Sequence, residues 1–129
     1  MGQTLDMLLN VDPGKIRNVP TGQVEIQRLS KELGQPFYIK FKAATIDGLK
    51  DIEEKSGGKD TEEMKWTVYE QTIDPEFKSK ELREKFGVKR PVDIVETLLL
   101  GGEILMVYQA ILKLSGFNKD GLDIEEVKN

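Results

Sequence analysis

The 129-residue chain contains no cysteine and no histidine, and it has a single tryptophan. Without cysteine there is no disulfide framework, no thiolate nucleophile and no cysteine-ligated metal. Without histidine the commonest general base and the commonest zinc ligand are both absent. Any catalysis has to rest on Asp, Glu, Lys, Ser or Tyr. Long uncharged apolar runs are missing too: the greasiest stretch, LLLGGEILMVYQAILKL, is interrupted by Glu103 and Lys113, whereas a membrane-spanning helix needs about 18 to 20 consecutive apolar residues. The opening MGQTLDMLLN has Asp6 where a myristoylation signal places Ser or Thr, and it is too short and too acidic for a secretory leader. A cytoplasmic, membrane-free protein is expected.

What is abundant is charge. Charged side chains make up 33% of the chain against 38% apolar, which predicts one modest core under a heavily solvated surface. The net charge of −4 is uneven. Residues 45–76 hold ten acids and four lysines, whereas residues 77–99 hold six cations and four acids. No basic stretch is dense enough for a phosphate-binding face, so a nucleic-acid binder is not expected.

Periodicity predicts an α+β, mostly helical fold: a small antiparallel β-hairpin at about 23–43 packed on four to five short helices. Residues 1–117 read as a single domain and 118–129 as a flexible acidic tail. Thr4 opens a short helix over LDMLL, which stops before Asp12-Pro13-Gly14. Val24 and Ile26 alternate with polar neighbours, and Phe37, Ile39 and Phe41 alternate with Tyr38, Lys40 and Lys42, the period-2 signature of half-buried strands. The intervening RLSKELGQ reads as a one-turn link. Thr45 caps a helix whose stripe is Ile46, Leu49 and Ile52. TEEMKWTVYEQTI fits helix better than strand, because its acidic first turn complements the helix dipole, and Asp74-Pro75 ends it. Ser79 and Gly87 bracket a short helix, and Pro91 opens the next at a first-turn position. Gly101-Gly102 marks a corner between that helix and a last one, with Val92, Val95, Leu98 and Leu99 lining the first and Ile104, Tyr108, Ile111 and Leu112 the second.

Motifs that carry chemistry are weak. GFNKDGLDIEEV lacks the first ligand and the bidentate final Glu of a calcium loop, and SGGKD places Asp60 where a phosphate loop needs Ser or Thr. Asp47, Asp51 and Glu54 share a helical face without a histidine partner, which reads as a solvated face rather than a metal or acid–base site. Trp66, Tyr69 and Phe86 read as core aromatics. Leu100, Met106, Val107 and Leu114 lie outside both predicted stripes, and such surplus on helices marks either a wrapped core or contact with another chain.

VEIQRLSKELGQPFYIKFKAAT, then an acidic helix, then DPEFKSKELREKFGVKRPVDIVETLLLGGEI, then LSGF and an acidic tail, resemble in that order the XkdN-like family of phage tail assembly chaperones, from about Thr4 to Asn129. The resemblance implies a non-enzymatic protein without cofactor that binds the tape measure protein of a contractile-tailed phage or prophage and helps recruit tail tube protein. Self-association is compatible with it; nucleic acid and membrane are not implied. Gly101-Gly102 departs from the proline-glycine expected at that corner. The apolar surplus, not the family, places the partner-binding surface on Val95, Leu98, Leu99, Ile104, Leu105 and Tyr108. Two competing readings are a structural tail or connector protein retained in the virion and an Asp/Glu-metal enzyme.

Overall fold

The structure is a computed structural model and describes residues 2–117; the expected acidic tail at 118–129, and all but Gly116 and Phe117 of the rejected calcium-loop stretch, lie outside the described residues. Element order is α1 (Gly2–Asn10), α2 (Pro13–Arg17), β1 (Thr21–Glu25), α3 (Gln27–Leu33), β2 (Tyr38–Lys42), α4 (Ile46–Ser56), α5 (Asp60–Gln71), β3 (Thr72–Asp74), α6 (Lys80–Lys85), a 3-10 turn (Pro91–Asp93), α7 (Ile94–Leu98) and α8 (Gly101–Leu114). The fold is thus mostly helical with a small antiparallel sheet, as the periodicity predicts.

The strand pair is present with Val24 opposite Ile39 and Gly22 opposite Phe41. Its connection is longer than the predicted single turn. Helix α3 fills it, ending at Gly34 with φ 76°, a left-handed position that glycine takes without steric cost. Ser30 pins α3 to the strands, donating to Glu25 at 2.7 Å and accepting from the Phe37 amide at 2.7 Å. A third strand joins the far side of β2, giving the order β1-β2-β3. It consumes Thr72–Asp74, which the period reading assigned to the end of α5; Lys40 pairs with Asp74 and Phe41 with Thr72 across an irregular register.

Alternation along β2 sends Ile39 and Phe41 into the core and leaves Tyr38, Lys40 and Lys42 outside. On the inner face they meet Val68 and Tyr69 of α5, Val92, Ile94, Val95 and Leu99 around α7, and Ile104, Val107 and Ile111 of α8, which form one buried cluster with Ile26 and Phe77. Gly22 is needed by this packing, since a Cβ there would lie 3.1 Å from the Phe41 ring and 3.7 Å from Leu114. Gln71, buried at the end of α5, donates to the Lys42 and Ala43 carbonyls at 3.1 and 3.0 Å. Ser115 accepts from the Ala44 amide at 2.8 Å. These bonds occupy polar groups that burial would otherwise leave unmatched.

Two predicted caps are in place, whereas Thr4 is not one, because α1 already starts at Gly2 and Thr4 lies within it. Thr45 accepts from the Gly48 amide at 3.1 Å and Ser79 from the Leu82 amide at 3.2 Å. The stripe of α4 differs in one residue: Ile52 is buried, Leu49 half-buried, but Ile46 is 76% exposed.

Candidate functional site

Helices α4, α5 and α8 leave a groove between them. Its floor and walls are Leu49 and Ile52 of α4, Thr67 of α5, and Tyr108 and Leu112 of α8, with Phe117 at one end and Glu53 and Glu63 on the rim. The hollow encloses about 260 Å³, below the roughly 300–1,000 Å³ usual for small-molecule pockets, so its size suits inserted side chains better than a metabolite. Tyr108 donates to Glu63 across a long 3.5 Å. Burial first, and the Glu63 carboxylate second, push the Tyr108 hydroxyl pKa up, so this rim stays a neutral phenol beside an acid. Toward the N-terminal ends of α5 and α8 a second hollow is lined by Met64, Leu99, Leu100, Gly101 and Ile104, with Glu62, Lys65 and Glu96 at its polar edge.

The six predicted surface residues separate. Val95 and Leu99 are buried at 0% and 3% exposure and Ile104 at 9%: they belong to the core and are not a free surface, because the α7–α8 corner folds its inner side over α5. Leu98 and Tyr108 are half-buried, and Leu105 is exposed. The centre of the α8 stripe lies one residue from the predicted one: Val107, read as surplus, is fully buried, while Tyr108 and Leu112 form the groove flank. Apolar side chains that reach solvent on and around α8 are Leu100, Leu105, Met106 and Phe117, and on α4 Ile46 does so.

The corner that carries this surface is held rigidly. The Pro91–Leu98 segment and α8 meet at 113°. Arg28 of α3 reaches across to donate to both Glu103 carboxylate oxygens, at 3.0 and 2.8 Å, and to the Leu98 carbonyl at 3.0 Å. The Arg28 guanidinium, with the Leu100 amide at 2.8 Å, holds the Glu103 carboxyl below the ordinary carboxylate range. These bonds span the corner at its two glycines. Below it, Lys65 is buried among Asp93 at 2.7 Å, Glu62 at 3.0 Å and Glu96, and Arg90 closes the ring onto Glu62 and Asp93. Sequence reading missed both devices: Lys65–Glu62 and Arg90–Asp93 are three apart on their own helical turns, but the links that join these pairs to one another and Arg28 to Glu103 span 28 to 75 residues.

Other candidates resolve to structure. Asp47, Asp51 and Glu54 are all exposed, and Asp51 pairs with Lys55 at 2.9 Å. Trp66 and Tyr69 stack edge-to-face at 5.7 Å under Lys55 and Lys78, which share Glu70, while Phe86 is exposed. Gly57 and Gly58, both at positive φ, make the SGGKD turn. Among the described residues no three metal-ligating side chains converge, and no single helix is long and apolar enough to cross a membrane.

This arrangement offers an apolar, acid-rimmed docking groove, and comparison with known proteins says in which setting. The family model described as phage XkdN-like tail assembly chaperone protein matches residues 5–128. The chain belongs to the XkdN-like tail assembly chaperone family. It is similar to YqbN of Bacillus subtilis (strain 168), 31% identical over 88% of this chain and 87% of that protein. It is also similar to the phage-like element PBSX protein XkdN of Bacillus subtilis (strain 168), 38% identical over 44% of this chain and 39% of that protein. A crystal structure of YqbN aligns with a TM-score of 0.61 at 27% identity, covering 83% of this chain and 93% of that one. Membership in the XkdN-like family implies protein partners in tail assembly.

Proposed function

We propose that this XkdN-like chaperone is non-enzymatic and holds an apolar helical segment of the tape measure protein in the α4–α5–α8 groove, in the cytoplasm of the host, until tail tube protein is recruited. The observation that carries the reading is the groove itself: it is lined by Leu49, Ile52, Leu112 and Phe117, and the exposed Ile46 and Leu105 fall on the same helical faces as Leu49 and as Tyr108 and Leu112. A helix laid in such a groove inserts side chains at i, i+3, i+4 and i+7. The rim acids Glu53 and Glu63 favour a client whose apolar stripe is flanked by Lys or Arg. Binding through apolar area with a polar rim is reversible, which a chaperone that leaves its client requires.

The test is co-purification of the full chain with tape measure segments, followed by titration calorimetry. Ile46→Asp and Leu105→Asp change exposed side chains and leave the core cluster untouched. Each is expected to weaken the complex at least about tenfold, or about 1.4 kcal/mol, with an unchanged circular dichroism spectrum. Equal affinity of both variants, or no complex with any tape measure segment, refutes the reading. Stoichiometric presence of the chain in purified virions instead supports a structural tail component.

A further inference from the structure

Among the described residues, the N-terminal arm leaves the densest run of large apolar side chains exposed. Leu5, Met7, Leu8 and Leu9 on α1 are 51–71% exposed and Ile16 on α2 is 63% exposed, and among the described residues neither helix has a buried side chain. Leu5, Leu8 and Leu9 share one face of α1 by helical spacing. Helix α2 is a defined element all the same, with Asp12 capping it by accepting from the Gly14 amide at 3.1 Å. Its sequence PGKIR brackets Ile16 with Lys15 and Arg17, and no acid partner for either cation is found among the described residues. The groove presents the complement: an apolar floor between Glu53 and Glu63, neither of which has a cation partner among the described residues.

The arm is also rooted in a suitable place. Its last residue, Pro20, accepts from the Ala43 amide at 2.9 Å, beside Ala44, whose amide is held by Ser115, two residues before Phe117 at the groove's end. We infer that the arm of one copy seats in the α4–α5–α8 groove of a second copy, Ile16 and the Leu5–Leu8–Leu9 face entering the hollow and Lys15 and Arg17 meeting Glu53 and Glu63, with the exchange reciprocal across a two-fold axis. A reciprocal exchange covers both arms and both grooves at once and doubles the apolar area removed from water. The unloaded chaperone thereby keeps its own groove covered, and a client helix displaces the arm. This inference rests on the groove proposed above but not on the identity of its client.

The test uses the full chain without any client, so its failure and that of the tape measure reading are distinguishable. Sedimentation velocity over roughly micromolar to millimolar concentration is expected to show a monomer–dimer equilibrium. Leu8→Asp combined with Ile16→Asp, both at exposed positions, shifts the dissociation constant upward at least about tenfold. Charge reversal of the arm (Lys15→Glu, Arg17→Glu) and charge reversal of the rim (Glu53→Lys, Glu63→Lys) each weaken the homodimer, whereas mixing the two variants restores a one-to-one heterodimer because both seats become complementary again. A wild-type chain that stays monomeric throughout, a dimer indifferent to the arm substitutions, or a mixture without heterodimer overturns the inference. Contact between arm and groove within a monomer, seen by paramagnetic broadening from a label on the arm, overturns it as well.

Discussion

Removing one cation from beneath the α7–α8 corner tests how this fold is held together. Lys65 is 8% exposed, and its ammonium faces Asp93, Glu62 and Glu96, whose side chains are 33%, 23% and 55% exposed. Burial pushes its pKa down, but hydrogen bonds to Asp93, Glu96 and Glu62 outweigh that and raise it above the ordinary lysine value. Lys65→Met keeps the apolar stem and deletes the charge, so packing survives while three carboxylates lose their shared cation. Breaking a fully buried pair costs about 3–5 kcal/mol. Here the acids are partly solvated and Arg90 still holds Glu62 and Asp93, so about 2–3 kcal/mol is expected after discounting for screening. For a chain of this size that is a drop of roughly 8–15 °C in Tm.

The pH dependence supplies the sharper check. Arg90 chiefly, then Lys65, holds the Asp93 pKa at about 2 against an ordinary 3.8, and the Glu62 pKa is likewise lowered, by Arg90 and then Lys65. Depressed carboxyl values contribute stability that is complete above the unfolded pKa and vanishes as pH falls through the folded one. The raised Lys65 pKa contributes stability complete below its unfolded value of 10.5 and lost only as pH rises through the higher folded one. The wild-type advantage over Lys65→Met is therefore flat from about pH 5 to 9 and narrows by about 1 kcal/mol by pH 3. Urea melts at pH 7 and pH 3 measure both quantities. A gap under about 1 kcal/mol at pH 7, or the same gap at both pH values, refutes this account of the network.

Three further outcomes are expected. Ile104→Ala, at a position 9% exposed, costs about 2–4 kcal/mol in urea unfolding, while Leu105→Ala, 41% exposed on the same turn, costs less than about 1; equal costs would contradict the burial of the corner. Gly101→Ala raises stability by about 0.4–1 kcal/mol, because an added Cβ there meets nothing within 4 Å and φ is not positive; a loss in melting temperature would argue against the helical first turn. Ser115→Ala leaves the Ala44 amide without its acceptor, costing about 1–3 kcal/mol and selectively speeding hydrogen exchange of that amide, so an unchanged Ala44 exchange rate would rule the bond out.

Much of the frame was legible because it is local. Thr45 and Ser79 announce their helices by side-chain chemistry within three residues, Pro91 by its missing amide, and Ile39 and Phe41 show their face by alternation alone. Strand β3 was not legible: three residues are too few for a period, and Thr72–Asp74 follow a helix with no glycine between. Helix α8 misleads for the opposite reason. Ile104 to Tyr108 are five apolar residues in a row, so no stripe is singled out, and only packing against α5 selects Val107 over Tyr108 for the core. The groove needed tertiary structure, because Leu49, Thr67 and Leu112 come together from three helices. Arg28 reads as an ordinary surface charge until α3 is seen lying against the corner.

The Pro20–Ala43 and Ala44–Ser115 bonds draw three distant parts of the chain to one point, and ahead of that point neither α1 nor α2 buries a side chain. Residues 2–20, when unseated, are then expected to move on the nanosecond scale, with the change in amplitude falling at Thr21. In a spin-relaxation profile this is a step rather than a slope, and its disappearance at high concentration reports the arm finding a seat.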